Sequence, residues 1–154
     1  MSFTATGSID TDGAVIAGDG FFPEISPTAC RKSMRIDGTV TPQRLRDALI
    51  EAIASVQAEL SSWVAEQIAN GHATLDNVPA LQVDGKSILT HRYIRAVFCL
   101  AAANCAERYK GFDATGAGQQ KADSTVPTID DLLRDASWAM SDMQGRRRTV
   151  VELI

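Results

Sequence analysis

Histidine and cysteine are scarce in this chain, and their scarcity closes off much of the chemistry open to a protein of this size. Two histidines, His72 and His91, and three cysteines, Cys30, Cys99 and Cys105, are spread over 154 residues. A zinc site or an activated nucleophile needs such groups at convergent spacing. Cys99 and Cys105 stand six apart in one helical pattern, about 240° around its axis, so they share no ligand and are read as small buried hydrophobes. An odd cysteine count speaks against a bridged secreted domain. No Lys or Arg precedes Arg31, so the basic start of a secretory signal is missing. The longest uncharged run in a helical pattern, Ala96 to Ala106, is far short of the about 20 residues that span a bilayer. A soluble intracellular protein is expected, with no membrane contact, no cofactor, no metal and no enzymatic activity.

What is present is an ordinary core. The chain is 45% hydrophobic with 11 glycines, which excludes disorder throughout and a collagen-like class. Its length fits one domain that buries roughly 68–70% of its unfolded surface. Charge is uneven. The net charge of −4 comes from 15 basic and 19 acidic residues, and residues 1–25 hold Asp10, Asp12, Asp19 and Glu24 with no basic residue. An acidic arm therefore precedes a body in which the charges cancel. Neither part has the basic surplus that phosphate neutralisation requires, and the one basic run, Arg146-Arg147-Arg148, is short.

Residues 1–20, with Gly7, Gly13, Gly18 and Gly20, show no periodicity and are expected to bury little. Phe21-Phe22-Pro23-Glu24-Ile25 concentrates apolar surface where the arm ends and reads as an anchor on the chain's own core. Ser26-Pro27 opens a short helix to about Arg35, ended by Asp37-Gly38. Thr41-Pro42 repeats the device and opens the longest helix, to about Asn70-Gly71. Its stripe is Leu45, Leu49, Ile53, Val56, Leu60, Val64 and Ile68. Residues 71–85, with Pro79 and Asp84-Gly85, read as a loop. Ser87 or Asp84 caps a third helix to about Lys110, with Ile94, Val97, Phe98, Ala101 and Cys105 inward; Ala101, Ala102 and Ala103 allow a neighbouring helix to approach. After a loop over 111–127, Thr128-Ile129-Asp130-Asp131 starts a last helix with a capping-box-like signal. Ile129, Leu132, Leu133, Ala136, Met140 and Met143 form its stripe and Gly145 stops it. Thr149 to Ile154 is β-prone and too short for a sheet.

These signals predict an all-α fold: a small helical bundle of three main helices plus a short N-terminal helix. An acidic flexible arm (1–25) precedes the bundle (26–145), and an extended tail (146–154) follows it. The string Gly116 to Lys121 lacks the Gly-Lys-Ser/Thr ending and the preceding strand of a phosphate loop. Asp130, Asp131 and Asp135 are explained by the helix dipole and a solvated face, and Trp63 and Trp138 as core edge. Arg44, Arg46, Arg92 and Arg95 are read as partners in intrahelical pairs such as Arg44 with Asp47. An interaction or assembly protein is left standing, with a small helical regulatory DNA-binding module using Arg146 to Arg148 as the rival.

Several strings, in order and at matching spacing, carry a family resemblance. They are Phe21-Phe22-Pro23 with Ile25; Met34-Arg35; Val40-Thr41-Pro42 with Arg44-Leu45-Arg46; Val78-Pro79-Ala80; Tyr93 with Arg95-Ala96-Val97; Glu107-Arg108-Tyr109; Lys121-Ala122-Asp123-Ser124; Thr128-Ile129-Asp130; Arg134-Asp135; and Trp138-Ala139. Over about residues 20–154 the chain resembles the head completion protein L (GPL) family of temperate contractile-tailed phages. The resemblance implies a structural virion protein, assembled in the host cytoplasm, that completes the DNA-filled head at the head–tail neck. It implies an adaptor ring of about twelve copies around the DNA channel, a heterologous assembly that closes by rotation. Implied partners are the chain itself, the portal protein and a neck or tail-completion protein, with packaged DNA passing through without specific binding. Two site expectations follow. Thr149, Val150, Val151, Glu152, Leu153 and Ile154 are expected to bind the portal by adding a strand to a sheet edge. The loop containing Gly116, Gly118, Lys121 and Ser124 is expected near the channel.

Overall fold

A computed structural model of the chain describes residues 12–113 and 126–148, with side chains described up to residue 108 and again from 126. Helix α1 covers Pro27–Ser33, α2 Pro42–Ala69, α3 Ile88–Asp113 and α4 Ile129–Met143; a 3-10 turn at Leu75–Asn77 and a two-stranded hairpin, β1 (Gln82–Val83) and β2 (Lys86–Ser87), lie between α2 and α3. The all-α expectation is met in its main lines, and the hairpin is the addition.

The helix starts follow from the sequence. Ser26, Thr41 and Thr128 each accept a backbone N–H with the side chain, and at α4 the Asp131 carboxylate accepts the N–H of Thr128 in return. These contacts satisfy donors that the first helical turn leaves open. Ser87, not Asp84, serves α3, its Oγ accepting from Leu89 N–H at 3.2 Å. The ends are three copies of one device, in which two N–H groups past the helix bond back to carbonyls inside it. Gly71 and Gly145 take the left-handed position after α2 and α4, as expected. After α1 that position is Arg35, at φ 53°, a conformation that costs a non-glycine residue about 1–2 kcal/mol. The first helix therefore stops at Ser33, before Asp37-Gly38.

Asp84-Gly85 is more than loop punctuation. Both residues have positive φ, 51° and 71°, the two-residue turn whose twist suits a tight hairpin. Gln82 pairs with Ser87 and Val83 with Lys86.

α3 is the middle element. One side of it packs on α2, α1 and residues 16–25, and the other on α4, while α2 and α4 scarcely touch. The first contact is large and apolar: Leu45, Leu49, Val56 and Leu60 of α2 meet Tyr93, Val97, Ala101 and Cys105 of α3. Tyr93 is fully buried and its hydroxyl accepts from Gln57 Nε2 at 3.4 Å. The second is made by smaller side chains. Cys99, Ala102 and Ala103 face Leu132 and Ala136, which bears out the close approach read from Ala101 to Ala103. Ile68 and Leu133 correct the stripes. Both are exposed, because each lies at the margin of its helix's apolar arc, where α3 no longer reaches.

The arm departs further from expectation. Residues 1–20 are expected to bury little, yet from Asp12 onward the chain is docked, and the anchor expected at Phe21 to Ile25 is met. Phe21 and Phe22 are buried, Phe22 stacks on Tyr93 at 4.4 Å, and Phe21 meets Trp63 edge-on at 6.4 Å. Asp19 accepts N–H bonds from Phe21 and Phe22, and Ile16 pairs with Ile25 in a short antiparallel bridge. Gly18 permits the turn, since a Cβ there would sit 2.1 Å from the Phe22 carbonyl oxygen. Aromatic burial and backbone pairing thus order a segment that has no period of its own.

Candidate interaction surfaces

Two clusters of charged side chains hold elements together, and both are built around arginine. In the first, Arg31 of α1 reaches Asp12 through Nε at 2.7 and 2.8 Å and through Nη2 at 2.7 Å. Its remaining donors serve the carbonyls of Asp37 at 2.7 Å and Val40 at 2.9 Å. The Asp12 side chain is only 5% exposed. The hydrogen bond to Asp12 raises the Arg31 pKa further above its usual value. One guanidinium therefore ties the arm to α1 and to the turn before α2. Nearby, Arg46 donates to the Ala14 carbonyl at 2.7 Å.

The second cluster covers the seam of α3 and α4. Arg95 meets Asp135 at 3.0 Å, Arg92 donates to the Asp142 carbonyl at 3.3 Å, and Arg148 meets the Asp142 carboxylate at 2.7 Å. The Arg148 hydrogen bond is the main reason the Asp142 carboxyl is held below its usual range. Arg134 bonds Asp131 at 2.9 Å and Asp135 at 3.2 Å. Both Arg134 and Arg148 lie over the Trp138 ring, 4.9 and 5.0 Å from its centre. Trp138 is core edge, as expected, but it also seats two cations. The arginine pairing differs from the reading, since Arg46, Arg92 and Arg95 bond other elements rather than their own helix. Packing has brought α4 and the arm within reach, which helical spacing alone does not encode.

The remaining chemistry is inert. All three cysteines are free and buried. Burial is the first cause of the raised pKa of each, and it takes Cys30 to about 12. Cys99 and Cys105 belong to different core clusters, so the separation read from their spacing is met. Among the described residues no three His, Cys, Asp or Glu side chains gather as a metal would require. His91 is occupied locally, with Nε2 2.9 Å from the Val83 carbonyl. No helix among the described residues is long and apolar enough to cross a membrane. Two open grooves are present, each of about 750 Å³ or slightly less. One lies between the start of α2 and the later part of α3, floored by Val40, Ala48 and Cys105; the other lies between the arm and the hairpin. The first is rimmed by Arg44, Asp47, Glu51 and Arg108, and in the second the Thr90 hydroxyl donates to the Asp76 carboxylate at 2.7 Å.

The residues singled out as site candidates, Thr149, Val150, Val151, Glu152, Leu153 and Ile154 in the tail and Gly116, Gly118, Lys121 and Ser124 in the loop, lie outside the described residues. Of the basic run, Arg148 is spent on Asp142 and Trp138. The Asp12–Arg31 tie escaped sequence reading because nothing local links residues 19 apart. The Arg134–Trp138 contact had a signal in its i, i+4 spacing.

The model of one protein family, described as phage head completion protein (GPL), matches residues 16–154. A head completion/stabilization protein of Escherichia phage P2 is 44% identical over 143 residues, covering 93% of this chain and 85% of its own length. No solved structure matches the chain.

Proposed function

We propose, from the fact that this chain belongs to the phage head completion protein (GPL) family, that it forms the adaptor ring at the head–tail junction of a tailed phage. In this reading copies sit beneath the portal of the DNA-filled head and present a surface to a neck or tail-completion protein. The observation that carries the proposal is the 44% identity to the P2 protein across nearly the whole chain. That extent is far longer than one motif. A fold held by arginine ties between elements, with its thiols buried, supports an assembly role over an enzymatic one. The tail from Thr149 to Ile154 adds a strand to a portal sheet edge, and the loop from Gly116 to Ser124 lies near the channel.

The rival reading as a DNA-binding module needs free cations. Arg148 is not one of them, and the whole chain carries −4, so DNA is expected to slide past without sticking.

The test is completion in vitro. DNA-filled heads made without this protein are mixed with the purified chain and then with tails. Restored infectivity supports the reading, and a chain lacking residues 149–154 fails to restore it while keeping its helical circular dichroism. Heads that join tails equally well with and without the chain overturn the reading.

A further inference from the structure

α2 and α4 both pack on α3 and touch each other little, so the outward faces of those two helices are separate surfaces. The faces differ in kind. On α2 the side away from the core is small: Ala54, Ala58, Ser61 and Ala65 are all exposed, with Ile50 and Ile68 beside them at 49% and 54% exposure. It is also acidic. After Arg44 and Arg46 near its start, α2 has Asp47, Glu51, Glu59 and Glu66 and no further Lys or Arg. The second surface carries six arginines, on the charged edge of α3, on α4 and just after it, against the four aspartates of α4. Its side chains are large. Leu133 is 40% exposed, and Trp138 is half-buried between two guanidiniums.

We propose that copies of this chain associate head to tail, the outer face of α2 in one copy receiving the Leu133–Arg134–Trp138 face of α4 in the next. The inference rests on the adaptor reading above and adds which surfaces meet. Small side chains at i, i+4, i+7 and i+11 leave a shallow trough along α2, which is about 42 Å long. Trp and Arg are the residue types that most often carry binding energy, and they occupy the face that would fill the trough. Acidic flanks on α2 meet a cationic surplus on α4, which sets partner and orientation. Two different patches of one copy make a heterologous contact, the kind that propagates from copy to copy until it closes.

The test uses heads completed with the full chain. Ala58→Cys and Ser137→Cys, both at exposed positions, are combined in one chain, and a short bismaleimide is added. The native thiols are buried and give little background. The double variant is expected to give a ladder of dimers, trimers and higher species, and each single variant none. Completed heads that yield no ladder, or single variants that dimerise by themselves, overturn the inference and leave the adaptor reading intact. Heads that unmodified chain fails to complete overturn the adaptor reading; a ladder from concentrated free protein still supports the contact in that case, and its absence there overturns it. A charge exchange guards against trivial misfolding. Glu59→Arg with Glu66→Arg, in a chain carrying Ala58→Cys, lowers cross-linking to an otherwise unaltered Ser137→Cys chain roughly tenfold or more. Adding Arg134→Glu with Arg147→Glu to the second chain restores it. Equal yields in both mixtures overturn the proposal.

Discussion

The two flanks of α3 are joined by different means. Toward α2, large apolar side chains pack with buried aromatics from the arm. Toward α4, alanines and Cys99 bring the backbones close, and alignment comes from a lattice of arginines and aspartates at the seam. The first flank should hold most of the folding free energy, since transfer of apolar area dominates stability. The second should set the position of α4 at modest energetic gain, because half-exposed ion pairs are worth little.

The comparison can be broken most forcefully on the first flank. Leu49→Ala removes a fully buried side chain and should destabilise by about 2–5 kcal/mol in urea unfolding; a loss under 1 kcal/mol would show that α2 is not the main support. Next, Asp12→Ala leaves the Arg31 guanidinium without its carboxylate partner in a largely enclosed place. A loss of about 2–3 kcal/mol is expected, with faster proteolysis between residues 12 and 25. On the second flank, Ala136→Leu forces three extra heavy atoms into the α3–α4 contact and should cost about 1–3 kcal/mol. The same size change at exposed Ala58 should cost almost nothing. The smallest effect is acid-dependent. The folded pKa of Asp142 lies below the unfolded value near 3.8, so its contribution is complete above that value and is lost as pH falls through the folded pKa. Asp142→Asn should flatten the acid limb of the stability profile while Leu49→Ala leaves its shape unchanged.

Legibility followed locality. Caps, helix starts and the two glycine stops are written within four residues of where they act, and Ser26, Thr41, Thr128, Gly71 and Gly145 could all be read directly. The alanine run predicted the close α4 contact because small size is itself the cause. What escaped depended on tertiary approach. Arg35 in the left-handed position has no sequence signature, and the docking of residues 12–20 needs Arg31, Arg46 and Ile25 in place first. Asp84-Gly85 carried a hairpin signal that the short, polar flanks of β1 and β2 obscured. Of the candidate surfaces, composition supplied the scarcity of reactive groups. The pairing of arginines across elements became visible only once α3 had a neighbour on each side.

Electron cryomicroscopy of DNA-filled heads completed with the purified chain tests the account most directly. It predicts copies of this four-helix fold encircling the channel under the portal, with α2 of each against α4 of the next. Density for the chain over the shell away from that vertex, or tails joined to heads with no such copies at the junction, would contradict it.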